Sequence, residues 1–184
     1  MNQFKNYVKI IVLIGTSWYG QAQCEVFKSE ISDVQEYMAQ MSQLTDSLRT
    51  ANEIAAFDAR FSTARSSTMD VKLWMGTALT AADEAVILVS EAQYESERCG
   101  LAEAMSYTID AESYAIDARD FASEAFENVK LATAAKNLGN LQYYMRKAQR
   151  LINDAQEAAD TAAYAAENAH YSCNHDKEHT YSEK

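Results

Sequence analysis

All three histidines of the chain, His170, His175 and His179, lie close to its C-terminus, interleaved with Cys173, Asp176 and Glu178. Imidazole nitrogen and thiolate sulfur are ligands for zinc, copper or nickel. His175 and His179 are four residues apart, a spacing that puts two rings on one helix face within reach of a single ion. His170, Cys173, His175 and His179 are therefore the candidate metal ligands. The competing reading of the segment 173–184 is a polar, solvated tail, the usual state of a short chain end.

Cys173 has a second use. The chain has three cysteines, the others being Cys24 and Cys99. In an oxidising compartment Cys99 and Cys173, both near expected helix ends, are the preferred disulfide pair. Closing so long a loop would contribute on the order of 4 kcal/mol by chain entropy. A sulfur in a disulfide cannot also be a thiolate ligand, so the bridge and the metal site compete for Cys173. Cys24 is then the cysteine left over. It sits where a lipid-modified bacterial cysteine would stand, but Gln21 and Gln23 replace the aliphatic and small residues that usually precede one, which argues against lipidation.

Two catalytic templates fail on inspection. Glu167 and His170 form a Glu-x-x-His pair, as in half of a ferritin-type di-iron site, but no second pair or set of inward glutamates accompanies it. A Cys-His nucleophile built on Cys173 would need an oxyanion hole and an orienting group, and a glycine-poor helical chain has few places to form them. The expectation is a protein without catalytic function and without a cofactor, unless the tail takes zinc, copper or nickel.

The elements that position these residues read as long helices. Small residues recur in a 4-3 rhythm at Ala78, Ala82, Ala85, Val89, Ala92, Ser96 and Cys99, again from Ala111 through Ala115, Ala118, Ala122 and Ala125 to Val129, and again from Ala148 through Ile152, Ala155, Ala159, Ala162 and Ala166 to Ala169. That is a seven-residue repeat with an alanine seam, which lets helices approach closely. An earlier stretch keeps the rhythm with bulky residues, Phe27, Ile31, Val34, Met38, Met41, Thr45 and Leu48, suited to filling space beside alanine. Flanking positions carry Trp74, Ala81 and Leu88, then Tyr107, Tyr114 and Phe121, widening each stripe to what a globular bundle buries.

The expected boundaries follow from local chemistry. The first helix begins near Glu25; beyond Thr50 its register splits, with Ala55, Ala59 and Ser62 on the old face and Ile54, Phe57 and Phe61 on a second one. It either breaks near residue 50 or is covered on both faces. The Ser66-Ser67-Thr68-Met69-Asp70 cluster predicts a turn and an N-cap. A second helix over Asp70 to Arg98 stops at Gly100; a third runs from Leu101 to about Lys136, and Asn137 to Asn140 make the next turn. The fourth spans Leu141 to Tyr171. Short connections reverse the chain direction, so the fold class is all-α: an antiparallel bundle of four helices, or five if the first breaks, on alanine-rich heptad seams. This arrangement would bring Cys24, Cys99 and Cys173 to one end.

Residues 1–22 stand apart. Lys5 and Lys9, the apolar run Ile10 to Ile14 and the sequence Gly20-Gln21-Ala22 read as a signal peptide cleaved after Ala22, leaving a bundle domain over 23–172. The run is too short for a membrane span, and no transmembrane helix is expected in the mature chain. The formal net charge of -11 becomes more negative when the two lysines leave with the leader. So acidic a surface repels nucleic acid and anionic headgroups. The function expected is a binding or scaffolding component of the bacterial cell envelope or extracellular space, periplasmic or secreted, and membrane-tethered only if Cys24 carries lipid. The alternative is a metal-binding protein acting through the C-terminal cluster. Small-residue seams can also pair between chains, so a homodimer through the alanine faces is a further expectation.

Overall fold

The computed structural model describes residues 2–182, with side chains described for 25–46 and 48–173. It is all-α, with four helices and no strand among the described residues: α1 Asn2–Phe57, α2 Phe61–Cys99, α3 Ala102–Ala134 and α4 Leu138–Ser182. The chain contains no proline, so nothing removes a backbone donor inside a helix. α1 packs on α2 and α4, α3 packs on α4 and α2, and a thinner contact joins α2 to α4.

Each connection has its own chemistry. At 58–60 the Arg60 N–H donates to Asp58 Oδ1 at 2.6 Å, an Asx turn that substitutes for backbone bonding. That backbone bond, reinforced by the Arg60 side chain, holds the Asp58 carboxyl below the usual carboxylate range. After α2, Gly100 takes φ 67°, its N–H donates to Glu97 O, and Leu101 N–H donates to Ser96 O, both at 3.1 Å. This is a Schellman closure, with Leu101 buried as its apolar contact. Before α4, Asn137 Oδ1 accepts the Asn140 N–H at 2.9 Å, the geometry of an N-cap.

Several expected boundaries are corrected. The Ser66–Asp70 cluster is not a turn; it lies inside α2. Thr68 is fully buried and its hydroxyl donates to Ala64 O at 2.8 Å, so its oxygen is satisfied within the helix instead of capping one. Ala64, Thr68, Val71, Met75 and Ala78 are all buried, continuing the inward face without interruption. The break between helices falls instead at 58–60, and α1 runs unbroken past residue 50 to Phe57, giving four helices and not five. Of the second apolar face, Ile54 and Phe57 are exposed, at 41% and 62%, while Phe61 is half-buried against the core. α1 begins at Asn2 rather than near Glu25, α3 stops at Ala134, and α4 starts at Leu138 and continues to Ser182. The 137–140 turn is thus displaced to 135–137, because Asn137 caps the following helix.

The core is the set of residues that recur in the sequence. Ala78, Ala82, Ala85, Val89, Ala111, Ala115, Ala118, Ala122, Ala155, Ala159, Ala162 and Ala166 are all fully buried. Phe27, Ile31, Met38, Met41 and Leu48 of α1, together with Met75, Leu141 and Met145, supply its volume. The alanine faces are therefore buried within the single chain. Trp74 and Tyr114 stay about 40% exposed, 39% and 40% respectively, at the margins of the buried stripe.

Candidate functional site

The residues singled out for chemistry occupy the C-terminal ends of α2 and α4. Cys99 is the last residue of α2 and is half-buried; Cys173, on α4, is fully buried, and His170 is half-buried one turn before it. Ala166 and Ala169 face the interior while Glu167 is exposed, so the Glu-x-x-His pair does not aim both side chains at the core. The side chains of Cys24, His175 and His179 lie outside the described residues. Among the described residues no group of three or more His, Cys, Asp or Glu side chains is placed to hold a metal ion.

A different cluster sits between α1 and α2. Glu30 faces Glu91 and Glu95 of α2, and burial, then these carboxylates, then Asp33 raise its pKa above the ordinary glutamate value. One carboxylate oxygen each of Glu30 and Glu95 is buried with no hydrogen-bond partner. Arg98 pairs with the other Glu95 oxygen at 2.9 Å and lies over the Tyr94 ring at 5.4 Å. The cluster stores like-charge repulsion at a helix interface.

Asn52 of α1 is fully buried, and both its side-chain oxygen and nitrogen lack partners. It continues the inward rhythm of Thr45, Leu48 and Ala55, and its polarity in an apolar rhythm was the signal that could have marked it.

Open grooves run between neighbouring helices. One of about 380 Å³ lies between α3 and α4, where Tyr114 and Phe121 meet Asp117, Asp154 and Glu157. Another of about 470 Å³ lies between α1 and α2, lined by Tyr37, Gln40, Leu73, Gly76, Thr77, Thr80 and Ala81, without a charged side chain. Leu73 is 71% exposed at its edge, and a Cβ added to Gly76 would meet nothing within 4 Å. By length and composition α2 is also apolar enough to cross a membrane, with an 18-residue window of mean hydropathy 1.3. Within α2, however, the Ala78, Ala82, Ala85 and Val89 face is buried in the protein, and Asp83 and Glu84 are exposed. The cluster and the grooves could not be found in one helix at a time, because each needs two helices side by side. Compared with known proteins, the chain matches no family model, no curated protein and no solved structure.

Proposed function

We propose that the chain is an exported, non-catalytic binding or scaffolding protein of the bacterial cell envelope or extracellular space, built as an antiparallel bundle on alanine-rich heptad seams. The antiparallel reading is supported by connections only a few residues long and by three cross-helix bonds. Gln142 Nε2 of α4 donates to Asp58 O beside the end of α1 at 2.8 Å, Ser90 of α2 to Glu112 of α3 at 2.8 Å, and Lys147 of α4 pairs with Glu124 of α3 at 3.3 Å. The observation that carries the functional reading is the outer surface. Leu73, Phe57, Tyr94, Tyr143, Tyr164 and Tyr171 are each 60% exposed or more, on long helices that hold them in fixed spacing. Tyrosine supplies large contact area at low entropic cost and is enriched where proteins meet.

Export rests on the leader features of residues 1–22, and the acidic surface favours cationic or neutral partners over nucleic acid. The test is the intact mass of the protein recovered from its host, before and after reduction. A chain starting near Gln23 supports export, a lipid increment on Cys24 adds a tether, and a two-proton mass gain on reduction supports the Cys99–Cys173 bridge. An unprocessed, reduced chain overturns the export reading.

Metal binding through His170, Cys173, His175 and His179 is the second reading, favoured by the confinement of every histidine to this stretch. Truncation after Cys173 should abolish zinc or copper affinity and spare partner binding; equal affinity in the truncated chain ends that reading.

A further inference from the structure

The groove between α1 and α2 belongs to a larger band. From Tyr37 to Thr45 α1 has no Asp, Glu, Lys or Arg, and from Leu73 to Ala82 α2 has none. The two stretches lie side by side, since Tyr37 and Gln40 line one groove with Leu73, Gly76, Thr77 and Thr80. Charges resume at both ends, with Glu36 and Asp83 at one and Asp46 and Lys72 at the other. At 1.5 Å per residue the band is about 15 Å long, on a chain whose formal net charge is -11.

We propose that this band is a self-association surface, on which a second copy of the chain packs with its Leu73 over the open backbone at Gly76. Three features select a copy over other occupants. Identical acidic chains repel wherever their carboxylates meet, so self-pairing requires a patch without them. The exposed polar groups here are the Gln40 and Gln43 amides and the Thr77 and Thr80 hydroxyls, the last donating to Gly76 O at 3.1 Å. The amides and the Thr77 hydroxyl both donate and accept, so they can bond like groups of a second copy, which one carboxylate facing another cannot. A protruding Leu73 stands beside a recess at Gly76, so knob and hole lie on the same face, as an isologous contact demands. A bilayer is a poor match, because the band spans about half of the roughly 30 Å hydrocarbon core. The dimer belongs to the small-area class, under about 1,200 Å² in total, and is correspondingly weak.

Self-association through this band depends on helix packing alone, so its failure would leave the export reading untouched. The experiment is sedimentation equilibrium of the full chain over a concentration series, with Leu73→Glu and Thr77→Glu alongside Tyr164→Glu, which lies on α4 away from the band. All three positions are exposed, and circular dichroism checks that each variant folds. The expected result is a monomer-dimer equilibrium, weakened at least tenfold by either α2 glutamate, partly restored by salt, and unchanged by Tyr164→Glu. A wild-type chain that stays monomeric at every concentration overturns the proposal. So does a dimer indifferent to both glutamates, or a wild-type chain that associates only with phosphatidylcholine vesicles.

Discussion

Replacing Asn52 with leucine should stabilise the protein. The residue is fully buried in α1, and neither its amide nitrogen nor its carbonyl oxygen has a partner. A buried polar atom left unsatisfied costs about 1–3 kcal/mol, and a buried leucine contributes about 1.5–3 kcal/mol relative to exposure. Leucine and asparagine are close in size, so the substitution adds little strain against the surrounding helices; an overpacking cost of about 1 kcal/mol is a fair deduction. The net expectation is a gain of about 2–4 kcal/mol. For a chain of this length each kcal/mol moves Tm by about 2–4 °C, so Tm should rise by about 5–15 °C. The assay is urea and thermal unfolding by circular dichroism at matched protein concentration, with an unchanged m-value as evidence that the denatured state is the same. Asn52→Ala separates the two contributions, since it removes the orphaned atoms but leaves a cavity, and should fall between wild type and Asn52→Leu. If Asn52→Leu lowers Tm, the amide is satisfied in solution and the reasoning fails. If it raises Tm but gives mixed oligomers, the asparagine was trading stability for one helix register, as a lone polar core residue can.

Three further outcomes follow from the same structure. Ala118→Leu, at a fully buried position of α3, should destabilise by at least about 1–3 kcal/mol through overpacking; a neutral result in denaturant melts would mean that the helices are not closely packed there. Glu30→Gln should stabilise at neutral pH by under about 1 kcal/mol, given the group's partial exposure. Its folded pKa is raised above 4.5 by burial, Glu91, Glu95 and Asp33, so the repulsion is present in full above the folded pKa and fades as pH falls through it. The advantage of glutamine should therefore vanish near pH 4 in parallel melts, and a pH-independent advantage would point to packing. Gly100→Ala should cost about 1–2 kcal/mol, because φ 67° is unfavourable for any residue with a Cβ; wild-type stability in the variant would show that the closure after α2 has relaxed.

The core was legible because alanine at every third or fourth position states which face turns inward, and the structure buries those residues. The turns were less legible, since the same short side chains serve opposite purposes. Thr68 could cap a following helix or donate to a carbonyl one turn back, and its place on the inward face decided for the second. Asp58 is one of many aspartates, and only its bond to the Arg60 N–H distinguishes it as the turn residue. Asn137 marks the right turn but opens α4 instead of closing α3, because an asparagine before a leucine can serve either helix end. In each case local chemistry offered two satisfied states of similar free energy, and tertiary packing chose between them.

The surface follows a different logic. A core position is constrained by its own helix period, so one segment of sequence suffices to find it. An outward position acquires meaning only from what stands beside it on the neighbouring helix. Glu30 is an ordinary glutamate until Glu91 and Glu95 face it, and the uncharged stretches 37–45 and 73–82 become one band only when α1 lies against α2. On a chain this acidic, leaving both stretches without a carboxylate sacrifices repulsion that would otherwise keep copies apart. The core gains nothing from that omission, because the residues concerned, Gln40, Leu73, Thr77 and Thr80, point outward. Charge neutrality on two helices at the same level is either incidental to packing or the mark of the proposed second copy. Leu73→Glu separates the two explanations, for it should leave the unfolding free energy of the monomer nearly unchanged while breaking the contact between copies.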